Sequence, residues 1–315
     1  MQKLLTRCFS KKEFEIMLAP IALFVYNRPW HTAQTINALK NNELAAESEL
    51  IIYSDAAKNE EAVEKVLEVR DYIKCINGFK KITIIERETN WGLANSIIDG
   101  VTNIVNKYGK IIVLEDDLVT SRYFLRFMNE ALDMYVDDLS VVSITGYIYP
   151  IKRADKLQTT YFIRGADCWG WATWKRAWSI FEASGKTLLN SLVANNQTRD
   201  FDFDNSYGYT DMLKAQIEGK NNSWAIRWYA SAYLANMLTL YPRDSYVLNI
   251  GNDDSGTHCD TSKNFDVSIQ QHYKQLERIE VIESVNAKKQ ISLFFKSLRP
   301  SLISKVLELL KKFTY

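Results

Sequence analysis

Long apolar runs are absent from this 315-residue chain, and no window reaches the roughly 18 uninterrupted apolar residues that a membrane-spanning helix needs. Cysteine is scarce: Cys8, Cys75, Cys168 and Cys259 stand far apart with no CxxC spacing. That argues against a zinc module and a disulfide scaffold, and makes a reducing compartment the simplest setting. With 12 Gly and 5 Pro the chain is neither collagen-like nor of low complexity. Charge of one sign has no surplus: 39 Lys+Arg face 38 Asp+Glu, and a net charge of +1 excludes a nucleic-acid reader that works through bulk positive charge. No GxGxxG, GxxxxGKS or GxxxxGKT follows any apolar run, which weakens dinucleotide-binding and P-loop readings. The apolar stretch 16–26 has no small-residue cleavage site and runs into a Pro-containing turn. It reads as a buried first strand rather than a signal peptide, with residues 1–16 an extension ahead of it.

What is present is a globular balance, 47% hydrophobic and 24% charged, on a chain long enough to bury a full core. Short continuous apolar runs at 21–26 (IALFVY), 50–53 (LIIY), 82–85 (ITII), 111–114 (IIVL) and 141–144 are predicted strands covered on both faces. Between them the period is helical. Asn59 caps a predicted helix with Val63, Val66, Leu67 and Ile73 inward, and residues 90–106 place Leu93, Ile97, Ile98, Val101, Ile104 and Val105 on one face. Phe124, Phe127, Met128, Ala131, Leu132 and Tyr135 continue the pattern after the fourth strand. This alternation predicts an α/β fold with a mostly parallel sheet between helices.

In such a sheet ligands bind beyond the carboxyl ends of the strands. Those ends carry Tyr26, Asn27 and Arg28, then Ser54 and Asp55, then Glu86 and Arg87, then Glu115, Asp116 and Asp117. Three carboxylates at the rim of a buried strand repel one another and lose hydration, which is costly without a cation or hydrogen-bond donors. Mn²⁺ or Mg²⁺ carrying a diphosphate is a natural compensator; an acidic first turn for the next helix is the plainer reading.

The segment IIVLEDDLVTSRYFLRFMNEAL resembles the metal-binding segment of GT-A-fold (Rossmann-like) glycosyltransferases, in the EDD variant of the DxD motif found in the N-acetylglucosaminyltransferase I group. PIALFVYNRPWHT resembles the first strand and nucleotide loop of that fold, NWGLANSIIDGV the helix before the motif, and GADCWGWATWKRAW an acceptor-side aromatic segment. SWAIRWYASAYLANMLTLYP with NIGNDDSGTH resembles the closing part of bacterial polysaccharide-assembly members, so the likeness runs over about residues 18–260. It implies that Asp117 binds the metal, Asp116 meets the ribose hydroxyls and Glu115 buttresses the loop. Asp55 would accept from the uracil N3–H, Tyr26, Asn27 and Arg28 would frame the nucleotide, and His258 would be a second metal or diphosphate contact.

The resemblance divides the chain into a GT-A domain at 17–265, with a nucleotide half at about 17–118 and an acceptor half at about 119–265, and a tail at 266–315. It implies a metal-dependent, inverting transfer from a UDP-sugar to a glycan or lipid-linked saccharide in bacterial surface polysaccharide assembly, on the cytoplasmic side. The family usually places a carboxylate base where this chain has Asn222 and Ser223, and neither can act as a base at neutral pH. Asp167, between Gly165 and Trp169, is the best remaining carboxylate. A relative that binds nucleotide-sugar without transferring it is the alternative left open. Six of the eight tryptophans (169, 171, 174, 178, 224 and 228) fall in the acceptor half, as a sugar-stacking pocket or as core. In the tail, Leu302, Val306, Leu309, Leu310 and Phe313 share a helical face beside Lys305, Lys311 and Lys312, which suits either a membrane surface or packing on the domain.

Overall fold

The structure, a computed structural model, describes residues 17–253 and 263–299. The N-terminal extension, His258 and the helix expected from Ser301 lie outside the described residues.

The first half alternates as expected: β1 (Ile21–Val25), α1 (Pro29–Lys40), β2 (Glu49–Ser54), α2 (Glu60–Lys74), β3 (Lys81–Glu86), α3 (Gly92–Tyr108) and β4 (Lys110–Glu115). Next come β5 (Leu118–Thr120), α4 (Phe124–Met134), β6 (Val141–Thr145), β7 (Thr160–Arg164) and β8 (Trp171–Trp174). The chain then turns helical through α5 (Lys175–Trp178), α6 (Gly185–Ala194), α7 (Thr198–Phe201), α8 (Tyr209–Ile217) and α9 (Trp224–Leu234). It ends with β9 (Leu238–Pro242), β10 (Val247–Asn249) and α10 (Val285–Ser297). Eight strands form one sheet in the order β3-β2-β1-β4-β8-β6-β9-β7, while β5 and β10 form a separate antiparallel pair. The pairs among β3, β2, β1 and β4 are all parallel, as is β6 with β9; β8 and β7 run antiparallel to their neighbours. This is an α/β fold consistent with GT-A.

The apolar runs become strands because both faces are covered: every residue of β1 and β6 is buried. β3 departs from that expectation. It is the sheet edge, so its residues are only half-buried. Helix faces are rotated slightly from the predicted ones. Asn59 caps α2 by accepting from Ala62 N, and Val66 and Ile73 are buried, but Val63 and Leu67 face solvent while Ala62 and Val69 take their places. Leu93 is likewise exposed on α3, whereas all six expected residues from Phe124 to Tyr135 are buried.

The tryptophan-rich stretch resolves into core. Trp171 stacks on Trp224 at 5.4 Å between ring centroids and lies 5.8 Å from both Trp178 and Trp228; all four are buried. Trp169 alone of the six is half-buried. A second cluster gathers α6, α8, α9 and α10, with Ala287, Ile291 and Phe295 buried in it. Residues 285–297 therefore pack on the domain. Among the described residues no helix is long and apolar enough to cross a membrane.

Candidate functional site

β1 lies between β2 and β4, so the chain leaves β1 in one direction and later returns on its other side. At such a switch point the loops beyond the carboxyl ends diverge and leave a crevice. The crevice receives Arg28, just after β1 and before Pro29 at the first position of α1, and the triplet Glu115, Asp116 and Asp117 at the end of β4.

Arg28 ties this crevice together. Its Nη2 donates to both Asp116 Oδ1 and Asp117 Oδ2, the latter at 2.7 Å. Asp116 and Asp117 are buried, and the Asp116 carbonyl accepts from Thr35 Oγ1 at 2.8 Å. Burial opposes the Arg28 charge, yet the two carboxylates outweigh it and hold the guanidinium above its ordinary value. The acids are raised as well, which for them disfavours the charged form. Burial first, then the charges of Asp117 and Asp116, raise Glu115; burial, against the pull of Arg28, raises Asp116. One guanidinium thus undercompensates three carboxylates.

The second strand of the β5 and β10 pair closes the crevice. Ile250 N donates to the Asp117 carbonyl at 2.9 Å, and Gly251 follows against the carboxylate itself. A Cβ on Gly251 would stand 2.2 Å from Asp117 Oδ2 and 3.0 Å from Arg28 Nη1, so only glycine permits this approach. His31, in the first turn of α1, is buried with Nε2 3.0 Å from the Asp253 carboxylate, and the Trp30 ring stands edge-on to it. Neither His31 nor Gly251 was legible as a site residue in the sequence; the signal available was their nearness to Arg28 and to the NIGNDD stretch.

Asp55, for which the resemblance implies a uracil contact, is held by neighbouring N–H groups. Its Oδ1 accepts from Ala56 N and Trp91 N, both at 2.9 Å, and its Oδ2 from Gly92 N at 2.8 Å and Asn90 Nδ2 at 3.1 Å. Four donors thus meet the carboxylate. Asp55 clamps the loop into α3, where Gly92 adopts φ +71°. Asp55→Ala is expected to cost about 3 kcal/mol, because several buried N–H groups lose a charged acceptor. An unchanged urea midpoint would count against that clamp. Tyr26 accepts from Lys58 N through its hydroxyl at 2.9 Å.

Asp167 sits in the loop between β7 and β8. β8 pairs antiparallel with β4, Val113 opposite Trp171, so the residues just before Trp171 run out past the end of β4 beside the acidic triplet. Asp167 Oδ2 accepts from Tyr149 Oη at 3.2 Å and Tyr241 Oη at 3.5 Å, and Oδ1 accepts from Trp169 N at 3.0 Å. Burial raises this carboxyl above its usual value, against those donors, which favour the charge. Asn222 and Ser223 have the contacts of a helix start: Ser223 Oγ accepts from Ile226 N at 3.2 Å, and Asn222 Oδ1 lies 3.5 Å from Arg227 Nη2.

The chemistry of the donor set fits a hard divalent cation. Asp116 and Asp117 present oxygen ligands toward one point, with negative charge in excess of the single guanidinium. Among the described residues no three His, Cys, Asp or Glu side chains converge on one point. Two carboxylates completed by phosphate oxygens and water are nevertheless a usual set for Mg²⁺.

Residues 21–207 match the sequence model of the family described as Glycosyl transferase family 2. No protein of curated function matches the chain in sequence. Among solved structures, the chain is similar to a mannosyltransferase, PcManGT, from Pyrobaculum calidifontis in complex with GDP-Man and Mn²⁺: identity 12%, TM-score 0.31, over 42% of this chain and 37% of that one. It is also similar to TarS 1-349 from S. aureus: identity 14%, TM-score 0.35, over 72% of this chain and 59% of that one. A UDP-glucose pyrophosphorylase complexed with UDP-glucose aligns at 12% identity and TM-score 0.30, over 52% of this chain and 79% of that one. The chain spans 37% and 59% of the length of the first two, and the family assignment rests on the sequence match alone.

Proposed function

The chain belongs to glycosyl transferase family 2 and carries a glycosyltransferase domain, and we propose that it moves a sugar from a UDP-sugar to a glycan acceptor by a metal-dependent, inverting reaction. The observation that carries this reading is the convergence of two buried carboxylates, Asp116 and Asp117, at the switch point of the sheet. Asp117 would hold Mn²⁺ or Mg²⁺ together with the diphosphate, and Asp116, which shares Arg28 with it, would join as a ligand rather than serve only the ribose hydroxyls that the resemblance implies. When bound, the cation neutralises the charge that develops on the departing nucleotide. The Glu115-Asp116-Asp117 run further supports a kinship with the N-acetylglucosaminyltransferase I group.

Inversion needs a base on the acceptor side of the sugar. Asp167 fills this role in our reading: it takes the proton of the acceptor hydroxyl, while Tyr149 and Tyr241 hold the carboxylate in place. Asn222 and Ser223 support α9 rather than the proton transfer. The acceptor is a glycan or lipid-linked saccharide of bacterial surface polysaccharide, handled on the cytoplasmic side, with the chain beyond Ser301 as the part that would meet a membrane.

Incubating the protein with Mn²⁺, a panel of UDP-sugars and acceptor extract should release UDP; no release with any donor would sink the UDP reading. Gly251→Ala should lower kcat/KM on the order of 10²-fold by displacing Asp117, since misplacements near 1 Å cost that much. Unchanged turnover would show that the close approach is dispensable.

A further inference from the structure

We propose that Arg28 competes with the divalent cation for the Asp116 and Asp117 carboxylates, and that the diphosphate of the donor resolves the competition by taking the guanidinium. This rests on the metal reading of Asp117 given above. Both carboxylates that would ligate a cation already accept from Arg28 Nη2, through Asp116 Oδ1 and Asp117 Oδ2. Each keeps further lone pairs, but a cation drawing on the same negative charge takes away what holds the guanidinium 2.7 Å from Asp117. Two positive centres on one pair of carboxylates also repel each other.

The rest of the side chain is arranged for a second partner. Arg28 Nη1 is buried and, among the described residues, has no hydrogen-bond acceptor. It lies against the bare Cα of Gly251, on the side where the chain leaves Asp117. A buried donor without an acceptor is costly, so a ligand oxygen that reaches it gains more than one replacing water. A guanidinium presents a planar fork that matches phosphate oxygens, and a diphosphate arriving with the metal brings the anionic partner that Arg28 loses when the carboxylates turn to the cation.

Two consequences follow by linkage. The cation alone must displace Arg28 from two charge-assisted bonds, so it binds weakly without nucleotide. Each ligand then raises the affinity of the other by one and the same factor, because the coupling free energy belongs to the pair.

The test is calorimetric titration of the full chain with Mn²⁺ alone, and with Mn²⁺ in saturating UDP. In the unaltered protein UDP should raise the Mn²⁺ affinity about tenfold or more, within the usual range of coupling between sites. Arg28→Met keeps the apolar stem and removes the fork. It should bind Mn²⁺ alone about tenfold more tightly than the unaltered protein and should show a smaller UDP effect, the part left being the diphosphate's own ligation of the cation. Arg28→Gln, which keeps a donor for one carboxylate, should behave in the same direction and serves if the Met variant does not fold. Equal or weaker binding of Mn²⁺ by both variants, with the unaltered protein binding it in the presence of UDP, overturns the competition and leaves the metal reading intact. Absence of Mn²⁺ binding in every protein, with and without UDP, overturns the metal reading and the competition with it.

Discussion

Asp117→Asn is expected to remove Mn²⁺ binding and to lower kcat/KM on the order of 10²–10³-fold, the usual cost of losing a charge-stabilising group at a reacting centre, while leaving the melting temperature unchanged or raised. The opposed signs come from the charge balance of the crevice. Asp117 is one of three carboxylates that share a single guanidinium, and its charge is, after burial, the main influence pushing Glu115 upward. Removing that charge relieves Glu115 and Asp116 at once. The amide can still accept from Arg28 Nη2, and Arg28 keeps its full ion pair with Asp116. A residue retained for folding would behave in the opposite way, since removing one partner of a buried pair leaves an uncompensated charge and is strongly destabilising. Thermal melts and steady-state kinetics on the same preparation decide the matter. A variant that melts lower and retains turnover would make Asp117 a structural partner of Arg28 and nothing more.

The second large effect is expected at Asp167. Asp167→Asn should lower kcat by about 10²–10⁴-fold, the range for loss of a general base, with little change in the KM for donor. The pH profile carries the sharper signature. Burial is the largest influence on this carboxyl and raises it, against Trp169 N and the hydroxyls of Tyr149 and Tyr241. As a base it works only when ionised. Turnover therefore falls as pH drops through the raised value, and the acid limb stands above the about 3.9 of an unperturbed aspartate. Stability runs the other way. The folded chain holds this proton more tightly than the unfolded one, so the contribution to folding is complete below the unfolded value and is lost as pH rises through the folded value. Asparagine carries no such loss, and at neutral pH the variant should be as stable as its parent or more so. An acid limb that survives in Asp167→Asn would assign it to another group.

Much of this site was legible before any coordinates. The strand runs, the acidic triplet at the end of the fourth of them and Arg28 at the end of the first could be read from continuous apolar stretches followed by polar residues. Local pattern was enough there, because a buried parallel strand needs apolar residues on both faces and ends where polar ones begin. Other features could not be read in this way. The resemblance implied a nucleobase contact for Asp55, but not that its oxygens accept from a loop 35 to 37 residues downstream. The tryptophans could be read as a sugar-stacking pocket or as core, and four of them pack on one another as core; composition does not say which face of an aromatic ring meets the core.

The sequence by itself determined the α/β alternation, the positions of the polar strand ends and the membership of glycosyl transferase family 2, all of which depend on residues close together along the chain or on motif order. Only the tertiary structure decided what each charged group is paired with. Arg28 and Asp116 are 88 residues apart and meet because β1 and β4 lie side by side in register, Phe24 opposite Glu115. Strand order and register depend on how all the helices cover the sheet at once. A guanidinium standing on two carboxylates, with a glycine pressed against both, is therefore a property of the assembled fold and of no single segment.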